Sequence, residues 1–239
     1  MWGNSGIYGI LAALLVVAGC GGSSERVVRS PAEGGSLVFV TTLHEPPYCY
    51  IDTQTREAAG IDVEIARAAA EKLGLPLEIR QRPFQDLLPD VKSGRADFTA
   101  NAITITRARA RNVAFSRPYV SDGCAFLYRT GEPRPTIPLA KNMRVGTMMA
   151  STCYFYLCDH GVDPRCYDDY QASVVEFKKG NLDAVFNDAA QIRETARQSN
   201  GAFSSTPLET RENYGVAVRK DYPALLEAVN RAIAEREAK

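Results

Sequence analysis

Two short polar stretches of this chain hold residues whose types and spacing suit recognition of a charged small molecule. In the first, Thr104-Ile105-Thr106-Arg107-Ala108-Arg109, a hydroxyl and a guanidinium stand five positions apart. A guanidinium is a planar fork that grips two carboxylate oxygens at once. Thr106 is placed to cap a short helix carrying Arg109. The plainer reading of Arg109 is a solvated arginine beside Arg107 and Arg111. The second stretch ends in Asp188, which can pair with a cation, cap a helix over Ala189 to Gln198, or do both.

The elements that must position these groups alternate along the chain. Leu37 to Thr41 is a β-prone run. Between Gly60 and Leu73, Ile61, Ile65, Ala68, Ala69 and Leu73 recur at helical spacing, and Gly74 and Pro76 supply a stop. Leu75 to Arg82 reads as a strand, Phe84 to Lys92 as a helix ended by Gly94, and Asp97 to Ala100 as a strand. Such alternation predicts an α/β architecture with largely parallel sheets. The stretch Val91 to Asn101 also aligns without gaps on Phe177 to Asn187, with Lys, Gly, Asp and Asn at equivalent places. Each copy reads as a helix end, a glycine able to adopt positive φ, and a strand. Helix–glycine–strand is a common local solution, but the echo supports two lobes built on one plan. Ligands of open α/β sheets collect beyond the carboxyl ends of the strands. Ala102-Ile103-Thr104 and Asp188 are the residues that follow these two strands, so facing lobes would present them to a shared cleft.

The 28 basic and 28 acidic residues cancel, so no net field favours nucleic acid or an anionic membrane. Ile7 to Val17 is an uncharged, mostly apolar run. It falls short of the about 20 residues a membrane-spanning helix needs, and its length fits a secretory signal. Val17-Ala18-Gly19-Cys20 resembles the lipobox of bacterial lipoproteins, which implies lipidation of Cys20, a membrane anchor, and a periplasmic or cell-surface location. Met1 to Gly6 lacks Lys and Arg, a departure from the usual leader. Residues 1–20 are thus read as a signal segment and 21–35 as a flexible tether. Export permits disulfides. The remaining Cys49, Cys124, Cys153, Cys158 and Cys166 are odd in number, which leaves a thiol unpaired within one chain. Cys158 and Cys166 bracket a short loop containing Gly161 and Pro164 and are the preferred pair. No CxxC spacing occurs and the chain has 2 histidines, so no zinc site is expected.

In order and spacing, several landmarks resemble the family 3 solute-binding proteins of bacterial amino-acid ABC transporters. They are Pro46-Pro47-Tyr48, Gly60-Ile61-Asp62-Val63-Glu64, Lys92-Ser93-Gly94-Arg95-Ala96-Asp97, Thr104 to Arg109, Phe115-Ser116-Arg117-Pro118-Tyr119, Val145-Gly146 and Leu182-Asp183-Ala184-Val185. The resemblance runs from about Leu37 to about Glu235. It implies a two-lobed, type II periplasmic-binding-protein fold with two hinge strands. Lobe 1 would comprise 36–123 and 214–239, lobe 2 would comprise 130–206, and the crossings would fall at 124–129 and 207–213. Relatives commonly continue through one more small helical segment at the C-terminus, so lobe 1 is expected to be trimmed.

The same resemblance implies roles for single residues. Arg109 and Thr104 match the carboxylate-binding pair, and Ala102 stands where the backbone contacts the ligand. Asp188 matches the lobe 2 aspartate that pairs with the ligand's ammonium. Ser151 and Thr152 match a hydroxyl-bearing turn, with capping of the following helix as the plainer role. Phe84 matches an aromatic wall, with an ordinary core position as its alternative, and Tyr48 completes the Pro47-Tyr48 landmark beside the ligand. Glu45 stands where relatives often carry an aromatic residue, and an acid there favours a cationic or polar side chain. Thr42 stands where relatives that bind cationic amino acids often carry Asp, a conflicting signal that leaves the ligand open. The implied function is reversible binding of an amino acid by hinge closure and delivery to a permease, by a monomer, without cofactor, metal or catalytic residue. The alternatives on the same fold are a cyclohexadienyl or arogenate dehydratase using His44, Glu45 or Asp188 as acid, and a ligand-sensing module.

Overall fold

The computed structural model describes residues 35–238. The signal segment, the lipidated Cys20 and nearly all of the tether expected from the sequence lie outside them. No helix among the described residues is long and apolar enough to cross a membrane.

Two five-stranded sheets organise the chain. The first has the order β5 (Leu77–Gln81), β1 (Leu37–Thr41), β6 (Phe98–Thr99), β15 (Ala217–Val218), β7 (Ala114–Phe115). Strand β1 is parallel to β5 and β6, and β15 runs antiparallel to β6 and β7. Every residue of β1 is buried because both sheet faces are covered, as expected for a continuous apolar run. Leu37 and Phe39 face α1 (Ile61–Leu73) and α8 (Pro223–Glu237), while Val38 and Val40 pack with Leu87 and Val91 of α2 (Phe84–Ser93). The short α3 (Arg107–Ala110) follows β6.

The second sheet has the order β11 (Arg165–Tyr167), β10 (Val145–Met148), β12 (Ala184–Asp188), β9 (Cys124–Arg129), β13 (Phe203–Ser205). Here β10 is parallel to β11 and β12, and β9 is antiparallel to β12 and β13. Helices α4 (Ile137–Ala140) and α5 (Thr152–Asp159) pack on one face, and α6 (Tyr170–Lys178) and α7 (Ala189–Gln198) on the other. A three-stranded sheet of β2 (His44–Glu45), β3 (Cys49–Ile51) and β4 (Ala58–Ala59) flanks the first sheet, and a ribbon of β8 (Val120–Asp122) and β14 (Glu212–Tyr214) joins the lobes.

The internal echo is structural. Asp97 Oδ2 accepts the Val38 N–H at 2.9 Å, and Asp183 Oδ2 accepts the Arg144 N–H at 2.7 Å. Each aspartate thus ties the strand that follows it to the start of its parallel neighbour. Each also pairs with an arginine, Arg219 and Arg144 respectively. Gly94 and Gly180 take φ of 76° and 83° after the preceding helices, a conformation that a Cβ penalises.

Cys124–Arg129, expected as a crossing, forms strand β9, paired on both sides within the second sheet, and β8 just before it pairs with β14. One expectation needs correction. The disulfide joins Cys124 to Cys153, not Cys158 to Cys166. Cys153 faces the sheet, buried beside Cys124, Phe126 and Phe186. Cys158 is five residues further along α5, roughly 140° around the helix, and is exposed.

The cross-link closes a sequence separation of 29 residues, which is worth about 3.6 kcal/mol on chain-entropy grounds. Replacing both Cys124 and Cys153 by Ala therefore lowers the unfolding free energy from urea titration by that order, and non-reducing peptide mapping recovers these two cysteines linked. Linked peptides of Cys158 and Cys166 would count against the pairing.

Candidate functional site

On the lobe 1 side, the chain leaves β6 through Ala102, whose φ of 49° is unusual for a residue with a Cβ. Its N–H donates to Asp62 Oδ2 at 3.2 Å, which anchors the turn to the first turn of α1. An isolated bridge to Tyr214 then holds Thr104 against the ribbon. Thr106 Oγ1 accepts the Arg109 N–H at 3.1 Å, the cap anticipated from the sequence. The Arg109 guanidinium donates through Nη1 to the Thr104 carbonyl at 3.0 Å and through Nη2 to the Ala150 carbonyl at 3.4 Å. It therefore touches both lobes. Its Cζ lies 6.0 Å from the centre of the Phe84 ring, and Phe84 also packs against the core beneath α2.

On the lobe 2 side the two adjacent hydroxyls divide the work. Ser151 Oγ accepts the Tyr154 N–H at 3.0 Å and donates to the Met148 carbonyl at 2.7 Å. It is committed to capping α5. Thr152 reaches the opposite lobe: its Oγ1 lies 3.1 Å from Thr104 Oγ1 and donates to Glu212 Oε2 at 2.8 Å. Asp188 ends β12 and occupies the cap position of α7, yet its side chain makes no capping hydrogen bond. Its carboxylate lies instead beside the Cys124 and Cys153 sulfurs and Tyr214. Cys124, Cys153 and Asp188 converge in a group of metal-ligating types, but the two sulfurs are bonded to each other, which removes the thiolates a metal needs.

Glu212 was not singled out in the sequence. Thr104 Oγ1 donates to its Oε2 at 2.5 Å and Thr210 Oγ1 to its Oε1 at 3.1 Å. One carboxylate oxygen is thus held jointly by hydroxyls of both lobes. No local pattern marks this residue, since only the β14–β8 pairing brings it there. Asp62, read only as part of a landmark, proves to be the buried anchor of the Ala102 turn. Tyr48 is buried and packs edge-on against Tyr214 with ring centres 5.8 Å apart. Glu45 is buried with neither carboxylate oxygen hydrogen-bonded among the described residues.

Arg109 and Asp188 bear on each other across the cleft. Burial lowers the Arg109 pKa, while Glu212 and then Asp188 oppose the loss of its charge. Asp188 is pushed up to about 8 by burial first and by Glu212 next, with Tyr214 and Arg109 pulling the other way. Asp62 rises to about 6, chiefly through burial. Acid outweighs base in this cleft, so it favours a ligand that brings positive charge.

Residues 37–239 match the sequence profile of the bacterial extracellular solute-binding proteins, family 3. The chain belongs to this family. Among its relatives is the L-cystine-binding protein TcyJ of Escherichia coli K12, 29% identical over 98% of this chain and 91% of TcyJ. ABC transporter arginine-binding protein 1 of the same strain is 27% identical over 96% of this chain and 93% of the relative. The arginine-bound form of a truncated ArgBP from T. maritima superposes with a TM-score of 0.79 at 28% identity, covering 87% of this chain and 98% of that one. The two sheets and their connecting ribbon are accordingly the two-lobed type II fold of this solute-binding family, and the protein's role is binding rather than catalysis.

Asp188 near 8 and Asp62 near 6 both exceed the unfolded value of about 3.9. A carboxyl with a raised folded pKa contributes stability that is complete below the unfolded pKa and lost as pH rises through the folded one. Urea midpoints of the ligand-free protein therefore fall between about pH 4 and 8, and Asp188→Asn lessens the slope above about pH 6.5, the remainder coming from Glu45, which burial also raises. A wild-type profile already flat in that segment would contradict the Asp188 environment.

Proposed function

We propose that the protein receives a free amino acid between its lobes. Arg109 and Thr104 of lobe 1, with Thr152 of lobe 2, take the carboxylate, and Asp188 takes the ammonium. The observation that carries this reading is that Arg109 and Thr104 of lobe 1 reach Ala150 and Thr152 of lobe 2, with the charge of Asp188 acting on the Arg109 guanidinium. Their spacing in sequence makes that meeting a product of the fold. The two threonine hydroxyls add support, since they already hold a carboxylate oxygen, that of Glu212. A ligand carboxylate competes with Glu212 for those donors, and a ligand ammonium supplies the positive charge that lets Asp188 ionise. The names of the relatives, which bind cystine and arginine, agree with this ligand class.

Closure follows from the same geometry. A ligand held by Arg109 and Thr104 gains Thr152 and Asp188 only when lobe 2 is in place, so binding shifts the population to the closed form. The closed form then docks on the permease of an ABC transporter. In this proposal Cys20 carries the lipid anchor, and the protein acts as a monomer.

A thermal-shift screen of amino acids tests the proposal, because a ligand of the native state raises the melting temperature. The expected outcome is a shift with at least one amino acid that Arg109→Ala abolishes while the unliganded variant still melts cooperatively. An undiminished shift in Arg109→Ala would place the carboxylate elsewhere. The pH dependence has a definite sign. Below about 8 Asp188 holds a proton that it must release to pair with an ammonium, so the Kd for that amino acid falls as pH rises from 6 to 8. In Asp188→Asn this slope disappears along with most of the affinity.

A further inference from the structure

The proposed ligand contacts give Glu212 no place of its own, yet it is the acid most firmly held where the lobes meet. It begins β14. Its Oε2 accepts the Thr104 hydroxyl of lobe 1 at 2.5 Å and the Thr152 hydroxyl of lobe 2 at 2.8 Å. The two hydroxyl oxygens are themselves 3.1 Å apart. A single carboxylate oxygen therefore fastens one lobe to the other.

The segment that carries Glu212 is fixed in place. Thr210 Oγ1 donates to Glu212 Oε1 at 3.1 Å and accepts the Cys124 N–H at 2.8 Å. The Glu209 N–H donates to the Cys124 carbonyl at 2.8 Å. Gly123 permits this close approach, since a Cβ there would lie 2.1 Å from the Thr210 carbonyl oxygen. Glu212 thus reaches the two threonines from a support already tied to the start of β9.

Charge sets Glu212 apart from its neighbour in the ribbon. Asp122, its partner in register, pairs with Arg193 at 2.9 Å. No basic side chain forms an ion pair with Glu212 among the described residues, so its charge rests on hydroxyl donors. Hydrogen bonds to an ionised acceptor are stronger than those to a neutral one. Each threonine hydroxyl has one hydrogen to give. Thr104 and Thr152 cannot donate to Glu212 and to a ligand carboxylate at the same time.

We infer that Glu212 is an internal stand-in for the ligand's carboxylate: it clasps Thr104 to Thr152 when no ligand is bound and must release them for a ligand to be taken up. Glu212 then sets affinity without touching the ligand. The clasped population does not bind, and the apparent Kd rises as that population grows. The competition rests on the amino-acid reading above, whereas the clasp stands without it.

Small-angle X-ray scattering and calorimetric titration test the inference on the wild-type protein, Glu212→Gln and Thr152→Val. Gln keeps the size of the side chain and offers the hydroxyls a neutral, weaker acceptor. Both ligand-free variants are expected to show a larger radius of gyration than the wild type. An amino acid found by the thermal screen, at saturation, returns Glu212→Gln to the compact value. Glu212→Gln is also expected to bind that amino acid at least about 3-fold more tightly than the wild type, a gain that damage to the fold does not produce. Thr152→Val is read for conformation only, because Thr152 is itself a proposed ligand contact. Equal radii for the ligand-free wild type and both variants would overturn the clasp. Unchanged binding in Glu212→Gln would overturn the competition, and weaker binding would do so by making Glu212 a ligand contact. The two proposals fail separately. If no amino acid binds, the amino-acid reading falls and the scattering comparison still decides the clasp. If binding depends on Arg109 while Glu212→Gln alters neither measurement, only the Glu212 inference falls.

Discussion

Everything else where the lobes meet depends on bringing a guanidinium and a carboxylate from different lobes into one buried setting. In water two such charges would attract weakly, and each would keep its hydration. Between two covered sheets the effective dielectric is lower and hydration is incomplete. Burial then dominates: it weakens the hold of Arg109 on its proton and strengthens that of Asp188. A zwitterion answers both strains at once, which is why a cleft of this kind suits a free amino acid better than a simple acid or a simple amine.

The scaffold achieves the placement by repeating one device. In each lobe a helix ends at or just before a glycine with positive φ, an aspartate ties two parallel strands, and the chain leaves the strand end at the cleft. The copies then diverge. In lobe 1 Asn101 gathers Thr41, Thr42 and Cys49, while in lobe 2 Asn187 donates to Gln191 and Asp188 ends the strand beside the Cys124–Cys153 sulfurs. A duplicated framework thus delivers a hydroxyl and an arginine from one side and an acid from the other.

Much of the local structure was legible from the sequence. Helix α7 runs from Ala189 to Gln198 as its pattern predicts, and Thr106 caps α3. Both features are decided within a turn or two of chain. Where two local roles competed, the structure divided them. Ser151 caps and Thr152 crosses the cleft, although both are hydroxyl-bearing neighbours, because only the residue inside the helix points its side chain toward the ribbon. Asp188 holds a cap position without making a cap, because its carboxylate lies beside the Cys124 and Cys153 sulfurs and Tyr214 rather than over the helix amides.

By itself, then, the sequence determined the order of strands and helices, the duplicated plan, the family, and the residue types that surround the cleft. Periodicity and stop signals act over a few residues and leave a record that can be read there. Only the tertiary structure decided the pairing of Cys124 with Cys153, the pairing of β8 with β14, and the arrival of Glu212 between Thr104 and Thr152. Each of these joins residues tens of positions apart. Their meeting is set by how two sheets pack and turn toward each other, a quantity no local pattern encodes.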